Sequence, residues 1–177
     1  MGRSLIFLLF VYSLYFGQAK EFPLKHEDFS RVVINKEVFF EGIISKETPI
    51  KLKLNGVVKN PEKPNIYLVS GFSDVEGSKA EFLGELIFNE KYDVKDQPDQ
   101  MLVFGDFYLI ETRSGEHSGT FKGKFRIQTH KKLNADIKET FSTLTFKGKW
   151  KNYVNTLEFD VWWANYNPND ISKVVFK

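Results

Sequence analysis

The chain contains no cysteine. That excludes disulfides, thiolate metal ligands, a cysteine nucleophile and a lipidated N-terminal cysteine, so packing alone must hold the fold. Histidine is scarce, limited to His26, His117 and His130. The last two bracket one predicted strand and lie roughly 40 Å apart at about 3.3 Å per residue, too far to share a metal. His26-Glu27-Asp28 has no spaced second cluster, so neither a metal site nor a cofactor is expected. The sequence also lacks an Asn-x-Ser/Thr sequon, a Gly-x-Ser-x-Gly, a His-Glu-x-x-His and a phosphate loop. A large excess of one sign of charge is missing too. The formal net charge of the whole chain is +2, which gives no global argument for nucleic acid as a partner.

Long hydrophobic runs are confined to the start. Arg3 provides a short positive beginning, and residues 5–16 are almost wholly apolar. Gly17-Gln18-Ala19 then places small residues where a signal peptidase needs them. The apolar run is about 12 residues, short of the roughly 20 that span a bilayer. Residues 1–19 are therefore read as a cleaved signal peptide, and the protein as secreted or periplasmic. No later run is long enough for a transmembrane helix. Residues 20–36 carry mixed charge and read as an N-terminal arm or short helix, with Asp28 as its cap. Residues 37–177 form the remaining domain.

What the sequence does have is a recurring strand pattern: aromatic, any, glycine, any, large apolar. It appears as Phe40-Glu41-Gly42-Ile43-Ile44 and Phe82-Leu83-Gly84-Glu85-Leu86. It returns as Phe121-Lys122-Gly123-Lys124-Phe125 and Phe146-Lys147-Gly148-Lys149-Trp150. Each copy has period two, with glycine in the middle of one apolar face. Strands are predicted at 37–45, 49–58, 65–72, 79–88, 101–112, 119–130, 142–151 and 155–164, with a short last one at 171–176. Turn residues bound them, among them Asn60-Pro61-Glu62-Lys63-Pro64 and Glu76-Gly77. Two longer connections, 89–100 and 131–141, read as a polar loop and as one helical turn or more.

The fold class is all-β: a single antiparallel up-and-down barrel of eight or nine strands, with a β-sandwich as the alternative. Closure removes exposed edges, and inward glycines relieve crowding on a concave face. By strand count alone the architecture resembles lipocalin-like, fatty-acid-binding and avidin-like barrels. None of their motifs is present to carry a residue across.

Three functional readings follow. The first is an exported, non-enzymatic barrel that binds an apolar or amphipathic small molecule. Its contacts would be Phe82, Phe121, Phe125, Phe146 and Trp150, with Gly84, Gly123 and Gly148 leaving room. The second is a glycan-binding module or glycan-active enzyme. It rests on Trp162, which shares the polar parity of Glu158 and Asp160 and offers a stacking platform. A glycosidase would need two carboxyls about 5 to 10 Å apart across a cleft, which linear order does not show. The third is a small outer-membrane barrel, with aromatics toward lipid and charges in the lumen.

One surface feature accompanies all three. Lys122, Lys124 and Arg126 share a strand face with Lys147, Lys149 and Lys151 of the next strand. This is either a solvated face neutralised by Glu158 and Asp160, or an anion site for an anionic lipid or glycan.

Overall fold

The glycine-centred strands close into a ring. A computed structural model describes residues 21–34, 39–113, 117–133, 142–154 and 156–166. Eight strands follow one another: β1 (Phe40–Ile44), β2 (Thr48–Lys59), β3 (Ile66–Val75), β4 (Ser78–Val94), β5 (Gln97–Glu111), β6 (Gly119–His130), β7 (Thr143–Asn152) and β8 (Glu158–Ala164). A short helix, α1 (Ser30–Val33), precedes them. Each strand pairs antiparallel with the next, and β8 returns to β1 through Glu41↔Ala164, Gly42↔Trp163, Ile43↔Trp162 and Ile44↔Val161. That last pairing excludes the sandwich and completes the up-and-down barrel. The short strand predicted at 171–176 and the signal peptide at 1–19 lie outside the described residues.

Alternation decides which face is inside. Phe107, Leu109, Phe121, Phe125, Phe146 and Trp163 are buried, while Lys122, Lys124, Lys147 and Lys149 are exposed. Aromatics fill the interior and charges face outward, because apolar surface gains about 25 cal/mol per Å² on leaving water. In mid-barrel, Trp163 stacks on Phe146 at 5.5 Å and meets Phe107 and Phe121 edge-on at 5.3 and 5.5 Å. The space left beside these rings is about 10 Å³, no more than a single water needs. The barrel's middle is a packed core.

The glycines admit backbone rather than ligand. Gly123 faces Gly148 across β6 and β7. A Cβ on Gly148 would fall 2.2 Å from the Lys122 carbonyl oxygen and 2.7 Å from the Gly123 Cα. The room predicted for a ligand beside Gly84, Gly123 and Gly148 is thus taken by the neighbouring strand, drawn in where the sheet curves.

One end of the barrel is plugged by the N-terminal arm. Phe22, Phe29 and Val33 are buried. Phe29 and Phe22 pack on Phe88 at 5.0 and 5.7 Å, and Tyr67 and Phe125 complete that cluster. Polar bonds fix the plug. The Phe29 N–H donates to the Tyr67 hydroxyl, which donates to the Glu27 carbonyl, each at 3.0 Å. Lys59 reaches over the carbonyls of Lys25 and Glu27 at 2.6 and 2.5 Å. Asp28 accepts from the Ser30 N–H at 2.8 Å, one residue before the N-cap, which is Phe29. The mixed charge of this segment obscured its two buried phenylalanines.

The connection at 89–100 is strand, not loop. Strand β4 runs on to Val94 and β5 begins at Gln97, with register shifts at Phe88/Glu90 and Asp93/Val94. The bulges let a polar ribbon continue past the barrel, where no buried face demands apolar alternation. Asp93 ties it down through Lys91 and Lys131 at 2.6 and 2.7 Å. Hydrogen bonds from Lys131 and Lys91 hold its carboxyl at about 2.

Candidate functional site at the open end of the barrel

The end opposite the arm is open among the described residues. The turns after β1 and β3, the approach to β6 and the start of β8 surround a cavity of about 610 Å³, within the usual size of small-molecule sites. Its apolar wall includes Ile44, Val75, Phe121, Trp150 and Phe159. Trp150 and Phe159 stack nearly parallel, with ring centres 5.8 Å apart and planes 6° apart. A two-residue turn shapes the rim: Glu76 and Gly77 both have positive φ, 51° and 89°. The Asp74 carboxylate accepts from the Gly77 N–H at 2.8 Å. This is the hairpin geometry that Glu-Gly permits.

The cavity has a polar floor. Glu111 ends β5 on the parity of Phe107 and Leu109, so its side chain turns inward. It is 5% exposed. Three donors converge on its carboxylate. The Ser73 hydroxyl of β3 donates to Oε1 at 2.5 Å. The Gly119 N–H and the Trp150 indole N–H each donate to Oε2 at 2.9 Å. Tyr153 donates to the Glu111 backbone carbonyl, and Arg113 stacks on the Tyr153 ring from 4.8 Å. Burial raises the Tyr153 phenol above its usual value, and the Glu111 charge adds to this. Among the described residues Glu111 forms no ion pair with Lys, Arg or His.

The aromatic residues named from the sequence are spread over several places. Phe121 and Trp150 line the open cavity. Phe82 and Phe146 border the 10 Å³ gap in mid-barrel, and Phe125 packs against Phe88 beneath the arm. These three are core. Trp162 lies on the outer face, half-buried, paired in register with Lys147 and Ile43, and it lines neither cavity. Its companion Glu158 is engaged by Lys149 and, at 4.0 Å, by Lys151. The hydrogen bond from Lys149 holds the Glu158 carboxyl below its usual range, and Glu158 raises Lys149 in return.

The basic face is assembled as the strand pairing predicts. Lys122 stands opposite Lys149, and Lys124 opposite Lys147. Asp106 on β5 answers Lys124 at 3.5 Å, a partner the sequence reading missed because it lies one strand to the other side. Lys122 and Lys147 form no ion pair among the described residues. Arg126 is half-buried between Phe104 and Thr145.

His117 reaches the cavity rim, but no group of three or more His, Asp or Glu among the described residues is placed to hold a metal. No described helix is long and apolar enough to cross a membrane. No family model, curated protein or solved structure matches the chain.

Glu111 was not singled out from the sequence. Its signal was available, since it continues the inward alternation of residues 101–109 as an acid where an apolar residue is due. A buried acid on the inward parity of a strand is unusual enough to single out.

Proposed function

We propose that this protein is an exported, non-enzymatic barrel that binds a small amphipathic molecule in its open mouth. The observation that carries the reading is the asymmetry of the two ends. The arm seals one with Phe22 and Phe29, while the other holds a cavity of about 610 Å³ walled by Phe121, Trp150 and Phe159. An apolar wall over a few convergent polar groups is the common form of a ligand site. The Ser73 hydroxyl donates to Glu111, whose carboxylate is also held by two N–H donors, and this fixed trio supports reading the floor as an anchor for a ligand's polar head. Export follows from the leader-like residues 1–19 and belongs to the proposal.

Titration of residues 20–177 with an environment-sensitive apolar dye tests the mouth. Saturable binding at one site is expected, accompanied by a change in Trp150 fluorescence. Ala80→Trp, which fills the mouth from β4, should abolish it with the fold intact. Binding that survives Ala80→Trp, or no saturable binding at all, overturns the reading.

A further inference from the structure

We infer that the mouth selects ligands with a cationic, donor-bearing head, such as a protonated amine, seated against Glu111. The inference rests on the mouth being the binding site. It concerns what the floor presents to an occupant. The three donors around the carboxylate are the Ser73 hydroxyl, the Gly119 N–H and the Trp150 indole, and all three are engaged by Glu111. A carboxylate offers about four acceptor positions. One remains on Oε1, beside the acceptor lone pairs of the Ser73 oxygen. Toward an occupant, this trio presents acceptors.

Charge points the same way. Glu111 is buried and forms no ion pair among the described residues, and a buried carboxylate gains most from a cation brought to it. Among the described residues the other titratable groups lining the cavity are Glu76, Lys79 and His117. Glu76 adds negative charge at the rim. His117 is exposed there. Lys79 has outward parity on β4, and its ammonium sits 5.3 Å from the centre of the Phe72 ring, on the outer surface. Neither described base pairs with Glu111. A fatty-acid-like ligand would set its carboxylate against that of Glu111, whereas an alkylamine would donate to Oε1 and rest its chain on Phe121 and Trp150.

The experiment compares decylamine, decanol and decanoate at neutral pH by calorimetry, counting only binding that Ala80→Trp removes. The expected order is amine, then alcohol, then carboxylate. Decylamine should bind at least tenfold tighter than decanol, and added salt should narrow that gap. Glu111→Gln should erase the preference for the amine while decanol still binds. If that variant does not fold, the three-probe comparison on the native chain decides alone. Equal affinity for the three, or a preference for decanoate, overturns the cationic-head inference and leaves the mouth as the site. Absence of mouth binding by all three overturns the mouth reading, and the inference with it.

Discussion

The indole N–H of Trp150 on β7 donates to Oε2 of Glu111 on β5, reaching past the intervening β6 at 2.9 Å. Neighbouring strands are already joined by their backbone ladders. This bond links strands two apart, and Ser73 extends it to β3. Glu111 therefore holds the rim of the mouth in shape as well as forming its floor.

Trp150→Phe tests that link. The ring and its stacking on Phe159 are kept, but the N–H is lost and an acceptor is left short of one bond. Hydrogen bonds to charged groups contribute about 1.5–3 kcal/mol. Urea denaturation should show a loss of that order with an unchanged m-value. A change below about 0.5 kcal/mol would mean that water replaces the indole freely.

The arm should behave as part of the core. Phe29 is wholly buried against Phe88 and Phe22. Phe29→Ala should cost about 3–5 kcal/mol, as buried phenylalanine truncations do. Hydrogen exchange should place the Phe29 amide among the protected ones, because it is bonded to Tyr67. Rapid exchange there, with a small stability loss, would show that the plug is only loosely seated.

Tyr67 makes the plug sensitive to alkali. Burial, with smaller contributions from the charges of Asp28 and Glu27, raises its phenol from 10.0 to about 12. A group whose folded value is raised contributes stability that is fully present below the unfolded value. That contribution is lost as pH rises through the folded value. The stability difference between the native protein and Tyr67→Phe should therefore be constant below about pH 10 and shrink between about 10 and 12. A difference that stays constant to pH 12 would show that Tyr67 ionises alike in the folded and unfolded chains.

Much of this fold is legible in the residues. The period-two apolar faces from Phe40 to Trp163 gave the strands, and short turns such as Glu76-Gly77 gave their antiparallel order. Closure through Gly42↔Trp163 was implied by inward glycines, since an open sheet does not require them. The site was less legible. Composition cannot separate Phe121 and Trp150, which line the mouth, from Phe125 and Phe146, which fill the core. All four share parity, and only position along the barrel axis distinguishes them. The plug was hidden because Phe22 and Phe29 sit among His26, Glu27 and Asp28 without periodicity, and their burial depends on contacts with Tyr67 and Phe88, distant in sequence.

The paired glycines give a further test. Gly148→Ala would push a methyl into the Lys122 carbonyl at 2.2 Å, and the atoms it meets are β6 backbone, which cannot rotate aside as a side chain could. The strands must separate, so a loss above about 3 kcal/mol is expected, beyond the 1–3 kcal/mol typical of overpacking. Gly77→Ala is the control. Its Cβ would meet nothing within 4 Å, but φ is +89°, so only backbone strain of about 1–2 kcal/mol applies. Equal losses at the two positions would show that the β6–β7 contact yields more readily than its geometry implies.

The basic face offers a test that needs no ligand. Lys147 stands directly across from Lys124 and lacks an ion pair among the described residues, while Lys124 has Asp106 at 3.5 Å. Like charges placed opposite one another destabilise by a few tenths of a kcal/mol, and opposite charges contribute roughly 0.2–1. Lys147→Glu should therefore leave the thermal midpoint unchanged or raise it slightly. The native protein should be retained on heparin despite its small net charge. Retention should fall steeply with salt, because screening is strong beyond about 8 Å at physiological ionic strength. Lys147→Glu should weaken that retention, and Lys124→Glu with Lys147→Glu should abolish it, since together they reverse the centre of the face. If the native protein is not retained at low salt, Asp106 and Glu158 already neutralise the strands and the lysines serve solubility. If it is retained and the double variant still binds, the anion site lies elsewhere on the barrel.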